Sequence, residues 1–316
     1  MTSPHAQSVE PAVVVDALVK TYGGRDVVDR LSFTALRGAV TAVLGPNGAG
    51  KTTTMECIEG LRRPDGGTLR VLGHDPLGDA EYLRPRVGVM LQDGGLPTGA
   101  RAGEVLAHAA ALHARPLEVT ALLSTLGLTE HARTTVRRLS GGQKQRLSLS
   151  VAVVGRPEVA VLDEPSAGLD PQARRMVSDL RRRLRDDGVA VLLTTHLMDE
   201  AETLADHVVV VDGGRVVAAG SPAELLDGGG EHLRFDATPG LDVRSLAGAL
   251  PHGISVTEPR PGRYVVEGGP GSPVGPRVIA TVTAWCASHE VMPSGLHVGR
   301  RSLEELFLEL TGRQLR

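Results

Sequence analysis

The sequence predicts an α/β fold organised on a buried sheet, and three observations carry that prediction. Three short apolar runs, at 40–44, 159–162 and 189–195, have the length and β-branching of strands buried on both faces. The first stops in a glycine-rich loop followed by a helix-compatible stretch at 52–61. The second and third end in polar residues, Asp163-Glu164 and His196, instead of running on as apolar segments. Chemistry-bearing side chains therefore gather at the carboxyl ends of strands, where open α/β sheets bind their ligands.

Taken in order, residues 1–11 lack an apolar period and are expected to form a disordered tail. A strand at 12–19 runs toward a Gly23-Gly24 turn, and strand-like runs at 31–36 and 40–44 complete a small sheet leading into the loop. Tyr22 stands just before the turn, either as a plain surface aromatic or as a ring that stacks on adenine. Gly45-Pro46-Asn47-Gly48-Ala49-Gly50-Lys51-Thr52 fits G-x-x-x-x-G-K-T, with Thr53 next in the set. A loop nearly free of side chains lets successive N–H groups wrap a polyphosphate, while the following helix aims the positive end of its dipole at the same anion. Lys51 is placed to reach the β- and γ-phosphates and Thr52 to offer its hydroxyl to Mg2+. Pro64-Asp65-Gly66-Gly67 reads as a hairpin turn into a strand at 68–72.

A short strand at 86–91 delivers Gln92 at its end. Beyond it, helix-like alanine- and leucine-rich stretches at 102–114, 117–126 and 129–136, with Gly127 as a breaker, read as an inserted helical subdomain of about 93–155. His108 and His113 are five apart, off any shared helical face, and read as surface residues. Leu139-Ser140-Gly141-Gly142-Gln143 opens a helix to 154, a second anion-ready N-terminus without its own lysine. Paired carboxylates at the mouth of a buried strand are costly unless a cation or proton transfer uses them. Asp163 accordingly suits water-mediated Mg2+, and Glu164 a general base for water. In S-A-G-L-D, Asp170 looks like the cap of the next helix, with Pro171 at its first position and Gly188 past its end. Met176, Val177, Leu180 and Leu184 give that helix an apolar face, so the arginines at 181–185 are expected on the solvated side. His196 follows the third strand, at the edge expected to hold Lys51 and Glu164, and a hairpin turns at Gly213-Gly214.

Composition limits the alternatives. In 316 residues a formal charge of -3 and a pI near 6.4 make no electrostatic case for nucleic acid, and 2% aromatics supply no stacking platform for single strands. The start lacks a charged and apolar leader pattern and no 18-residue apolar run occurs, so a cytosolic, non-spanning protein is expected. Cys57 and Cys286 are far apart without metal-ligand spacing and read as reduced structural thiols.

After a Gly228-Gly229-Gly230 linker, residues 231–316 read as strand, helix, two strands, helix, strand and a final helix, the order of a small ferredoxin-like α+β unit. In the last helix Leu303, Leu306, Phe307 and Leu310 form an apolar stripe, Ser302 and Glu305 a capping box, and Gly312 a stop. That stripe either closes its own small domain or docks elsewhere.

With those residues in hand, the series Tyr22, G-P-N-G-A-G-K-T, Gln92, L-S-G-G-Q, V-A-V-L-D-E, S-A-G-L-D and His196 closely resembles the nucleotide-binding domain of ABC transporters over residues 12–227. The resemblance implies a P-loop NTPase core with an antiparallel β subdomain and an inserted helical subdomain, acting as an ATPase with Mg2+. It also implies that Tyr22 stacks on adenine, Gln92 senses metal, water and the membrane partner, His196 contacts the γ-phosphate, and Asp170 lies in the D-loop. A head-to-tail homodimer would close each phosphate loop with the partner copy's Ser140–Gln143 sequence. The ending S-L-E-E-L-F-L-E-L-T-G resembles ATPase subunits of drug and antibiotic exporters of the daunorubicin-resistance type. That implies a subunit peripheral on the inner face of the membrane, paired with a separate permease. An import ATPase, or a soluble ABC ATPase acting on ribosomes or DNA, is the competing reading.

Overall fold

The computed structural model describes residues 10–92, 95–226, 232–269, 272–299 and 302–311. Most of the expected tail, the start of the helical insertion at 93, the Gly228–Gly230 linker and the Gly312 stop lie outside them. The chain forms two compact units, Met1–Pro222 with Leu310–Arg316, and Ala223–Glu309.

In the first unit, β1 (Pro11–Tyr22) and β2 (Arg25–Leu36) are followed by β3 (Val40–Leu44), α1 (Lys51–Ile58), β4 (Gly66–Val71), α2 (Ala80–Leu83) and β5 (Val87–Met90). Antiparallel pairing in the order β2-β1-β4 makes the small sheet. Pro64–Gly67 therefore makes no hairpin: the segment links α1 to β4, whose partner is the distant β1. Gly67 is forced there, since at φ +80° a Cβ would lie 2.2 Å from the Ala17 carbonyl.

The insertion contains α3 (Ala102–Ala111), α4 (Val119–Thr125) and α5 (Gly141–Val153). The helix expected at 129–136 is replaced by two single 3-10 turns, Thr129–His131 and Val136–Arg138. The reason is a competing set of backbone bonds: Ala102 and Gly103 donate to Thr134 and Ala132, and Val136 donates to Ala100. A continuous helix would consume those same groups.

Next come β6 (Val159–Asp163), α6 (Pro171–Asp186), β7 (Ala190–Thr194), α7 (Met198–Leu204), β8 (His207–Asp212), β9 (Arg215–Gly220) and α8 (Pro222–Leu226). The large sheet has the order β5-β6-β7-β3-β8-β9, parallel throughout except for the β8–β9 hairpin. Every residue of β3, β6 and β7 is buried, as their unbroken apolar runs require. A buried leucine such as Leu192 stabilises the core enough that truncation to alanine would cost about 2–5 kcal/mol. Asp163 pairs in register with Thr194, which pairs with Val43, so the carboxyl ends of three strands open at one edge.

One expectation about α6 fails. Arg182 and Arg183 face solvent, but Arg181 is 1% exposed and bonds Glu200 of α7 at 3.0 Å. It stands four residues after Val177 and three before Leu184, directly on the inward stripe, so helix geometry overrides its polarity. The buried guanidinium is tolerated because its counter-charge is bonded to it directly.

The second unit contains β10 (His232–Asp236), α9 (Val243–Ala249), β11 (Ile254–Arg260), β12 (Arg263–Gly268), α10 (Pro276–Ser288), β13 (Ser294–Gly299) and, as far as Glu309, α11 (Leu303–Thr311). Its antiparallel sheet has the order β11-β12-β10-β13, the ferredoxin-like arrangement expected. Phe235 and Tyr264 stack at 5.2 Å in a core that also takes in Leu246, Val282 and Trp285. The Ser302 amide donates to Glu305 at 2.8 Å, closing the capping box, and Arg234 of β10 holds the same carboxylate at 2.7 Å. Leu303, Leu306 and Phe307 are buried, whereas Leu310 is 41% exposed.

Candidate functional site

The phosphate loop starts where β3 ends. Two of its glycines are obligatory: a Cβ at Gly45 would sit 2.3 Å from the Val211 carbonyl, and Gly50 holds φ +98° with the Val27 carbonyl 2.6 Å from a Cβ. Gly50 begins α1 without a side-chain cap, so the first N–H groups of the helix remain available to an anion. Lys51 donates to the carbonyl oxygens of Gly45 and Pro46, at 2.8 and 3.1 Å, tying the loop across its own mouth. Burial pulls its pKa down, against the nearby Glu164 and Asp163 carboxylates, which hold it up.

Asp163 closes β6 and is 4% exposed. The Thr194 hydroxyl donates to its carboxylate and accepts from the Glu164 amide at 3.0 Å. Burial raises the Asp163 pKa, opposed first by the Thr194 hydrogen bond and then by one from Thr52. Glu164 stands at φ +49°, a backbone conformation uncommon outside glycine. Gln145 fixes its carbonyl at 2.7 Å, and its carboxylate lies 3.3 Å from Nδ1 of His196. The bent backbone turns the side chain off the strand line, leaving a mostly buried carboxylate against a half-exposed imidazole.

The structure thus gathers Lys51, Thr52, Asp163, Glu164 and His196 at one edge. Thr194 and Gln145 also belong there and were not singled out from sequence; the register of β6 against β7 is the signal that identifies Thr194. Tyr22 is 40% exposed, with Lys20 and Arg62 each 5.4 Å from its ring centroid. Gln92 is exposed beyond β5. Asp170 caps α6, accepting from Ala173 at 2.8 Å. Ser140 and Gln143 form a reciprocal capping box at the start of α5, and Gln143 also reaches His131 at 2.9 Å. Neither Ser140 nor Lys51 bonds the other among the described residues.

Comparison with known proteins agrees with this geometry. Residues 28–167 match the ABC transporter family. Nod factor export ATP-binding protein I of Ralstonia nicotianae is 37% identical, over 97% of this chain and 95% of its own. The daunorubicin resistance ATP-binding protein DrrA3 of Streptomyces coeruleorubidus is also 37% identical, over 96% of each chain. Among solved structures, an ATP-binding subunit of an ABC transporter superposes with TM-score 0.63 at 28% identity, covering 68% of this chain and 91% of that one. A cassette in its ADP conformation gives TM-score 0.57 at 23% identity, over 67% and 91%, and shares the fold. A glycine-shaped loop at the end of β3, an acid pair at the same sheet edge on β6 and near-full-length similarity lead to one conclusion: the chain belongs to the family of ABC transporter ATP-binding proteins and is an ATPase of that family.

Proposed function

We propose that this ATPase energises export of a drug, antibiotic or other small hydrophobic compound through a separate membrane permease, working as a head-to-tail homodimer. The observation that carries the hydrolytic part is Glu164, held beside His196 at the strand edge that also presents Lys51. The export reading draws on the relatives named for Nod factor export and daunorubicin resistance.

In this reading Tyr22 stacks on adenine, the uncapped start of α1 and residues 45–53 cradle the phosphates, and Lys51 leaves its carbonyl partners for the β- and γ-oxygens. Glu164 takes a proton from the attacking water, and His196 contacts the γ-phosphate and steadies the carboxylate. Mg2+ would be held by Thr52 and, through water, by Asp163, with Gln92 joining them; bound there, the ion would neutralise phosphate charge. The donor set fits, since all three offer the oxygen that Mg2+ prefers, and phosphates and water would supply its other ligands. Ser140–Gln143 of the partner copy close the site. Among the described residues no helix is long and apolar enough to cross a membrane, so force passes to the permease through the helical insertion and Gln92, with the subunit peripheral on the inner face.

The test is Glu164→Gln. Its amide keeps the shape but takes no proton, so ATP binding persists while turnover falls about 10²- to 10⁴-fold. Undiminished turnover would remove Glu164 as the base.

A further inference from the structure

Thr41 and Thr194 are both buried threonines of the large sheet, but their hydroxyls differ. That of Thr41, in β3, has no hydrogen-bond partner, and the residue acts as β-branched filling. That of Thr194, the last residue of β7, is engaged on both sides: it donates to the Asp163 carboxylate and accepts from the Glu164 amide at 3.0 Å. An ionised carboxylate only accepts and an amide N–H only donates, so these two partners fix the direction of the hydroxyl. The ladder between β6 and β7 ends at the Asp163–Thr194 pair, and the next amide, that of Glu164, is held by a side chain. Glu164 stands there at φ +49°, a conformation that costs a residue with a Cβ and persists where its surroundings impose it. Two bonds bracket its Cα: Thr194 holds the amide, and Gln145 holds the carbonyl at 2.7 Å. The carboxylate meets Nδ1 of His196 at 3.3 Å, and His196 follows Thr194 by two residues. The end of β7 thus grips Glu164 twice, by its backbone and by its side chain.

We propose that Thr194 is a positioning residue for ATP hydrolysis, whose hydroxyl holds the Glu164 backbone in the turned conformation that aims its carboxylate at the attacking water. The proposal rests on the reading of Glu164 as the base. Valine at this position would fill the same space and keep the strand, yet it leaves the Glu164 N–H without its acceptor and Asp163 without that donor. The backbone at Glu164 is then free to relax from its positive φ, and the carboxylate moves with it. A displacement of about 1 Å costs on the order of 10²-fold in rate when geometry sets the reaction. Nucleotide affinity is a separate matter, because the phosphate loop and Lys51 belong to the β3–α1 junction and the Thr194 hydroxyl bonds to neither. Loss of the hydroxyl therefore reaches turnover and spares binding.

The experiment measures kcat and KM for ATP of the full chain as Thr194→Val and Thr194→Ser, each also combined with Glu164→Gln. Thr194→Val should lower kcat about 10- to 100-fold with KM changed less than about twofold, and Thr194→Ser, which keeps the hydroxyl, should retain at least about a third of the unaltered rate. Combined with Glu164→Gln, Thr194→Val should cost less than about twofold more, since a residue that acts through the Glu164 carboxylate has no base left to position. A valine variant as fast as the unaltered chain, a serine variant as slow as the valine one, or an equal fold-loss with and without Glu164→Gln overturns the proposal. If Thr194→Val fails to fold, Thr194→Ala and Thr194→Ser, which differ by the hydroxyl alone, decide by the same comparison. Failure of the underlying reading looks different. Undiminished turnover in Glu164→Gln alone removes the base and this proposal with it, whereas an inactive Glu164→Gln beside a fully active Thr194→Val rejects the role of Thr194 alone.

Discussion

Helix α1 leaves its first N–H groups without a side-chain cap, whereas α5 closes its own start. Ser140 accepts from the Gln143 amide at 3.2 Å, and the Gln143 side chain accepts from the Ser140 amide at 2.9 Å. Lys51 sits at the first position of α1 with two carboxylates acting on it; α5 begins with the glycines Gly141 and Gly142 and reaches its one lysine, Lys144, only in the next turn. Glycine before a helix is therefore not sufficient for a phosphate site. The first start combines uncapped donors, a cation and two nearby carboxylates, while the second has an exposed hydroxyl and a helix dipole but no cation of its own in its first turn. Under the proposed head-to-tail pairing, that difference is why two copies would be needed for one complete site.

Lys51→Ala breaks the first start and should have the largest effect: weakened ATP binding and turnover reduced about 10³-fold, checked by phosphate release and nucleotide titration. Turnover at the original rate would make the two helix starts equivalent and remove the basis of the contrast. Ser140→Ala sharpens the second start. It should reduce turnover about tenfold through the shared site and cost about 1 kcal/mol of helix capping, with unchanged nucleotide affinity in dilute, monomeric protein. A fall in monomer affinity as large as that of the Lys51 variant would mean that α5 serves its own loop. Smallest is Tyr22→Ala, which should raise KM for ATP about 2- to 12-fold at constant kcat, since a ring stack contributes about 0.5–1.5 kcal/mol and touches no reacting atom. A lower kcat at unchanged KM would give Tyr22 a different task.

What could be read from the sequence is what is written locally. The runs at 40–44, 159–162 and 189–195 became β3, β6 and β7 because an unbroken apolar run is stable as a strand covered on both faces. Gly45, Gly50 and Lys51 were legible because their roles depend on their own backbone and charge. Thr194 was not, since within a buried strand a threonine reads as β-branched filling until its register partner Asp163 is known. Arg181 was misread from its polarity, although its spacing from Val177 and Leu184 already places it on the inward stripe; its counter-charge Glu200 comes from another helix. The segment 129–136 has enough apolar residues for a helix, yet its backbone is claimed by Ala100, Ala102 and Gly103, bonds that no local pattern announces.

The most direct test of the account is the solution mass of the Glu164→Gln chain, measured by light scattering with and without Mg2+ and ATP. With hydrolysis blocked, nucleotide should bridge the uncapped start of one copy's α1 to the Ser140 start of the other copy's α5 and hold the pair together. The account predicts a monomer without nucleotide and a dimer with it. A monomer under both conditions, with ATP binding confirmed on the same sample, would contradict the shared site.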